Sequence, residues 1–184
     1  MKRSAVCVAV SALCLAACNK GPAVDLHNAS GNQVSQAVKQ SGMTTSDSMV
    51  EPGLWQSKVT VQEMNIPGMP PQYAAKMKQS LAEQREQSTK HCITDADVKK
   101  PKEDFFGADK SCHYAHFTMG AGKIDIQMVC RQESLTQTTN LNGSYTPTSY
   151  SLDMNSSGSG PQSGMTMKMH VDAQRVGQCT GKDD

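Results

Sequence analysis

Gly120-Ala121-Gly122 interrupts two strand-like runs, 112–119 and 123–131. No other feature constrains the fold as much. Alternation of period two places successive side chains on opposite faces of a strand, and a short glycine-containing break joins two such runs as a hairpin. A three-residue loop centred on Ala121 sets Cys112 opposite Cys130. It gathers Cys112, Tyr114, His116 and Thr118 with Ile124, Ile126, Met128 and Cys130 on one face. His113 and His116, three apart, then point to opposite faces.

Further strands follow from the same rule. Pro52-Gly53 precedes a run over 54–64 in which Trp55, Val59 and Val61 share a face. Prolines 67, 70 and 71 end it, because proline removes a ladder donor and fixes its own φ. Pro71 suits the first turn of a helix. Tyr73, Met77 and Leu81 recur every fourth residue to about 87, which predicts a helix laid on the sheet with a wide wet face. Residues 90–94 read as a short strand carrying Cys92, and Thr94 with Asp97 as a capping box. Asn142-Gly143 reads as a second hairpin turn, between strands 135–141 and 144–154, with Pro147 marking an edge or bulge. In the later strand Tyr150, Leu152 and Met154 share a face. Residues 155–164 read as a Ser/Gly-rich loop. Met165, Met167, Met169 and Val171 then alternate with Thr166, Lys168 and His170. The expected fold class is α+β, a mostly antiparallel meander of six or seven strands with one main helix packed on it.

The amino terminus carries an address. Lys2 and Arg3 precede an apolar run of about 13 residues, too short to span a bilayer, which needs roughly 20, and Leu15-Ala16-Ala17-Cys18 follows. That pattern is expected to be a lipoprotein signal peptide over 1–17, cleaved to leave Cys18 as a lipidated first residue. Two or three acyl chains such as palmitate on Cys18 suffice for stable anchoring to a lipid bilayer. Asn19, rather than an aspartate that would favour inner-membrane retention, leans the expectation towards the periplasmic face of the outer membrane. Residues 18–50 are poor in large apolar side chains and are expected to be a flexible tether, with at most one weak helical turn at Val34, Ala37 and Val38, spanning on the order of 30 Å. The remainder divides into a disulfide-bearing β-rich domain over 51–180 and a tail over 181–184.

Removing 17 of the 184 residues takes away two basic side chains, which leaves 16 basic against 17 acidic. A neutral chain without a basic cluster excludes nucleic acid as an obvious partner. Of seven cysteines, Cys7 and Cys14 leave with the signal and Cys18 takes lipid. Cys92, Cys112, Cys130 and Cys179 remain, an even number in an oxidising compartment, and read as two disulfides. The hairpin favours Cys112–Cys130 with Cys92–Cys179; Cys92–Cys112 with Cys130–Cys179 stays open. Metal binding by these four is disfavoured, because zinc ligands come in close pairs and no Cys-x-x-Cys is present.

Catalytic motifs are missing from the sequence. There is no nucleophile elbow, phosphate-binding glycine loop or His-Glu-x-x-His, and no cofactor is implied. Met165, Met167, Met169 and His170 form one set with metal-ligand chemistry, since thioethers select Cu(I). On a strand the methionines share a face and His170 takes the other, so a sheet face buried against the helix is the favoured reading of the pattern over a copper site.

Pro52-Gly53-Leu54-Trp55, Ile66-Pro67-Gly68-Met69-Pro70, the four spaced cysteines and Arg175-Val176-Gly177-Gln178-Cys179 occur in an order that resembles a bacterial envelope lipoprotein family, the domain of unknown function numbered 3617. The resemblance covers roughly 51–180. It implies an exported, often lipidated protein with no assigned reaction, and it transfers no catalytic residue. The expected function is therefore that of a non-catalytic binding or scaffolding module of the cell envelope, with an unknown envelope ligand or protein as partner. The alternative is a Met-rich copper-handling periplasmic protein.

Overall fold

The computed structural model describes residues 23–43, 50–85, 89–99, 111–160 and 163–181. The expected signal peptide, Cys18, most of the charged loop after Lys99 and the last three residues lie outside them. The described chain forms one antiparallel sheet of eight strands: β1 (Ala23–Ser30), β2 (Gly53–Asn65), β3 (Thr89–Ile93), β4 (Cys112–Gly120), β5 (Lys123–Gln132), β6 (Leu135–Thr146), β7 (Ser149–Ser159) and β8 (Thr166–Gly177). Their order across the sheet is β1-β4-β5-β6-β7-β8-β2-β3. Strands β4 to β8 are the meander. β1 extends it on one edge, and β2 with β3 on the other. Three helices accompany it: α1 (Gly31–Gln40), α2 (Pro71–Arg85) and α3 (Asp95–Lys99). Among the described residues no helix is long and apolar enough to cross a membrane.

The largest departure from expectation is the stretch 23–43, which is not a tether. β1 pairs along β4 from Ala23↔Gly120 to Ser30↔His113. α1 then folds back over that end of the sheet. Its start is a capping box, with Ser30 Oγ accepting from Gln33 N–H (3.3 Å) and Ser30 N–H donating to Gln33 Oε1 (2.8 Å). Val34 and Val38, one turn apart, are 0% and 1% exposed. They pack with Val24, Ala29, Met43, Tyr114, Phe117 and Met119 as the main core. Val34, Ala37 and Val38 suggest only one weak turn in so polar a segment, but two valines at the right spacing suffice for a full helix when a sheet waits beneath them.

α2, expected to cover the sheet, lies against β2 instead. β3 pairs only with Gly53–Ser57 of β2, and α2 lies along the stretch beyond, where Lys78 Nζ donates to the carbonyl of Gln62 (3.1 Å). A helix there covers an otherwise unpaired strand edge. Its expected core residues Tyr73 and Met77 are 59% and 37% exposed, and Leu81's side chain lies outside the described residues. α3 has the expected box, with Asp97 N–H donating to Thr94 Oγ1 and Thr94 N–H donating to Asp97 Oδ2.

The hairpin between β4 and β5 has a two-residue turn, with Gly120 opposite Lys123. Ala121 and Gly122 both have positive φ, 50° and 73°, as a type I′ turn requires. That shifts the pairing by one residue from the expected register. A bulge at Ala115 then shifts it back, so Cys112 still faces Cys130. Between turn and bulge the faces are exchanged. Phe117 and Met119, not His116 and Thr118, point inward. His113 and His116 consequently share the outer face rather than taking opposite ones.

Asn142-Gly143 is not a turn. β6 runs through it, with Gly143 paired to Ile124 on one side and Leu152 on the other. The reversal comes at Pro147-Thr148, where Thr146 Oγ1 bonds the Ser149 hydroxyl (2.8 Å) and accepts from Thr148 N–H (3.3 Å). Two long ladders outweigh a local turn preference, and Gly143 has a separate reason to be glycine: a Cβ there would meet Ser151 O at 2.1 Å. The expected loop at 155 likewise begins later, because β7 stays paired to Ser159, with Thr139 and Ser156 hydroxyls bonded at 2.9 Å.

Candidate functional site

The registers sort the side chains of the sheet into two unlike faces. One carries Leu26, Phe117, Ile126, Leu141, Met154, Met169 and Val61 in a row across seven strands. The other carries Asp25, Thr118, Asp125, Asn142, Asp153, His170 and Thr60 along the same path. The apolar face is covered at both sides and not in the middle. α1 buries the part over β1 and β4. Trp55 is 0% exposed, stacks on Tyr150 (5.7 Å between centroids) and donates from Nε1 to the Glu51 carbonyl (3.0 Å). Burial raises the pKa of Tyr150 there and, to similar effect, of Tyr145. Between these two packed regions Leu141, Leu152, Met154, Met167, Met169, Val171, Val59 and Met64 are all partly exposed.

Methionine dominates the far end of this open strip. Met64 lies directly opposite Met167, and Met154 opposite Met169. A register shift after Val61 brings Met64 onto the apolar face. The Pro-rich segment turns beside it, with Met69 N–H donating to the Ile66 carbonyl (3.1 Å), and Asn65 Nδ2 ties this corner to Gly164 O (2.8 Å). Met165 precedes β8. Of the metal-ligand set considered from the sequence, Met167 and Met169 therefore share a face, and Met154 and Met64 join them. His170 is on the opposite face. The strict alternation of β8 and β7 makes Met154 legible from sequence; the bulge that recruits Met64 carries no sequence signal.

His170 sits in a polar network. Its Nδ1 lies 2.7 Å from Asp153 Oδ1, its Nε2 3.0 Å from Asp172 Oδ2 and 3.4 Å from Ser151 Oγ. Serine, histidine and aspartate at these atoms imitate a catalytic triad, but the second carboxylate changes the chemistry. A general base needs a lone pair on Nε2. The hydrogen bond to Asp153 and the charge and hydrogen bond of Asp172 both favour the imidazolium, which has none, and they raise the His170 pKa above its usual value. The backbone around Ser151 is tied into the ladders with β6 and β8, so it offers no free pair of N–H groups as an oxyanion hole. The network is a cross-strand clamp between β7 and β8. A recess of about 500 Å³ adjoins it, lined by Lys58, Ser144, Thr146, Ser151, Asp172 and Gln174 among others.

Other candidate residues are dispersed. His116 Nε2 lies 3.1 Å from Asp125 Oδ1, and His27, on β1 rather than in a tether, lies 3.5 Å from Asp25. Among the described residues no group of three His, Cys, Asp or Glu side chains is placed to hold a metal. Cys112 is bonded to Cys130 and Cys92 to Cys179. The second bridge is short-range in space because Leu54 of β2 pairs with both Cys92 and Gly177. A simple meander would have put those ends apart; insertion of β2 between β8 and β3 brings them together.

A family model described as "Protein of unknown function (DUF3617)" matches residues 50–179, more than half the chain, and the chain belongs to that family. No curated protein and no solved structure matches it.

Proposed function

We propose that this member of the DUF3617 family is a non-catalytic binding module of the cell envelope, anchored through acylated Cys18 at the periplasmic face of the outer membrane, and that its open sheet face receives a hydrocarbon chain. The observation that supports this reading is the strip of partly exposed Leu141, Leu152, Met154, Met169, Val171 and Val59 between two well-packed regions. Its floor offers a ligand neither charge nor main-chain hydrogen bonds, because the backbone beneath is paired in ladders on both sides. A peptide or sugar would lose its own hydration there without compensation. An acyl chain has nothing to lose, and methionines adapt to its variable shape. An anchor at Cys18 would hold the domain beside a source of such chains.

The test is displacement of a fluorescent fatty acid from the full chain in dilute detergent. Saturable binding is expected. Leu152→Glu and Val171→Glu, each placing a carboxylate in the strip, should abolish it while unfolding remains cooperative. His170→Gln, on the outer face, should leave it unchanged. Absence of saturable binding, or equal binding by the two Glu variants, would remove the reading. The anchor is tested separately: Cys18→Ala should move the protein from the membrane fraction to the soluble one.

A further inference from the structure

The methionines at the open end of the strip have a second capacity that hydrocarbon binding does not use. The sequence holds 12 methionines against three phenylalanines, and four of those described converge on one patch of one sheet face. Met64 and Met167 are direct cross-strand partners. Met154 is the diagonal neighbour of Met167 across β7 and β8, with Met169 between them in register. Directly opposite residues on a sheet have Cβ atoms about 5 Å apart, and diagonal ones about 7–8 Å, within reach of long side chains. A methionine sulfur stands two bonds beyond Cβ and swings on rotatable torsions, which lets it fit irregular surroundings. Met64 and Met154 stand on strands either side of β8 and two residues out of line, about 12 Å apart, so the three sulfurs that can meet at one point above the sheet are those of Met64, Met167 and Met169. All four side chains are partly exposed, so an ion can approach from solvent.

The donor set decides which ion. Thioethers are neutral, soft ligands, which bind Cu(I) and discriminate against Zn²⁺, Mg²⁺ and Ca²⁺. No carboxylate or imidazole from the neighbouring strands enters this face: Glu63 is paired with Lys168 on the other side, and His170 is held there by Asp153 and Asp172. The surrounding surface carries no charge, and the hydroxyls nearest Met167, those of Ser156 and Thr139, bond each other, which suits a monovalent cation with neutral ligands and penalises a divalent one. The recess beside Asp172, where Tyr145, Tyr150 and Val176 mix with Lys58, Ser151 and Gln174, makes a weaker candidate, since nothing about its lining selects a ligand.

We infer that Met64, Met167 and Met169, with Met154 beside them, form a Cu(I) site of thioether ligands on the open sheet face. Copper binds in this site without change of oxidation state, and one ion fills it. The inference needs only the thioethers and stands whether or not the strip also takes a hydrocarbon chain.

The full chain is titrated anaerobically with Cu(I), with ascorbate present, against the chromophoric competitor bicinchoninate. One equivalent is expected to be withheld from the competitor. Leucine is close to methionine in volume and lacks the donor, so Met64→Leu, Met167→Leu and Met169→Leu should each weaken retention by about tenfold or more and the triple variant should abolish it. Thermal unfolding of each variant reports that the sheet is intact. Met77→Leu, on α2, and His170→Gln should bind as the parent does. Failure of the parent chain to withhold Cu(I), undiminished binding by a folded triple variant, or loss of binding in Met77→Leu or His170→Gln would each overturn the assignment. The fatty-acid displacement assay is read separately, so failure of one reading leaves the other standing or falling by its own result.

Discussion

Truncating the two buried valines of α1 asks whether residues 23–43 are part of the folding unit. Val34→Ala and Val38→Ala each delete two carbons from side chains at 0% and 1% exposure. At about 0.8 kcal/mol per buried carbon the transfer loss is about 1.6 kcal/mol each. The void left against Tyr114, Phe117 and Met119 adds up to about 1 kcal/mol, since the sheet beneath cannot follow a shortened side chain. The two positions share neighbours, so their effects do not add fully. The double variant should lose about 4 kcal/mol, a fall in Tm of about 8–16 °C for a domain of this size. Urea unfolding followed through Trp55, the single tryptophan, is the assay. Trp55 is on β2, six strands from β1, so it senses α1 only if the sheet unfolds as one body. A midpoint shifted by the stated amount with an unchanged slope is expected. A double variant within about 0.5 kcal/mol of the parent would show that α1 is an appendage, and would refute the argument that it covers one end of the apolar face as part of the core.

Three further outcomes follow from the same structure. Removing Cys112–Cys130, which closes 18 residues, should cost about 3 kcal/mol, and removing Cys92–Cys179, which closes 87, about 4–5 kcal/mol by loop entropy; urea midpoints of the paired alanine variants measure both. Gly143→Ala should destabilise by about 1–3 kcal/mol, because its Cβ meets the backbone carbonyl of Ser151, where a true turn residue would tolerate the change. His170 has a raised folded pKa, so its contribution to stability is complete below its unfolded value of about 6.5 and is lost as pH rises through the folded value; the parent chain should lose stability across that window relative to His170→Gln, as thermal melts at stepped pH would show.

The legible parts of this fold are those that depend on strict alternation. β8, and the existence and pairing of β4 and β5 though not their faces beside the turn, can be read from sequence because period two and a glycine-rich break leave few alternatives. The pairing of Cys112 with Cys130 follows from a three-residue loop that the protein does not use, and the Ala115 bulge cancels the difference before the cysteines. The only trace of that bulge in the sequence is the slip in alternation at Tyr114-Ala115. β1 and α1 are hidden because their few apolar side chains are scattered among polar ones, although Ser30 and Gln33 spell a capping box. α2 misleads in the opposite sense. Tyr73 and Met77 have the spacing of a buried stripe, yet the helix lies at a strand edge and leaves both in water. The consequence for the candidate site is direct. A sheet covered by α2 would have no open strip, and the methionines of β7 and β8 would be ordinary core.

The occupancy of that strip is most directly measured by labelling the methionine ε-methyl groups with ¹³C and adding a fatty acid that carries a nitroxide on its chain. The account predicts saturable paramagnetic broadening of Met64, Met154, Met167 and Met169, ahead of Met77 on α2. Signals that stay sharp throughout, or broadening that reaches Met77 before the strip, would contradict it.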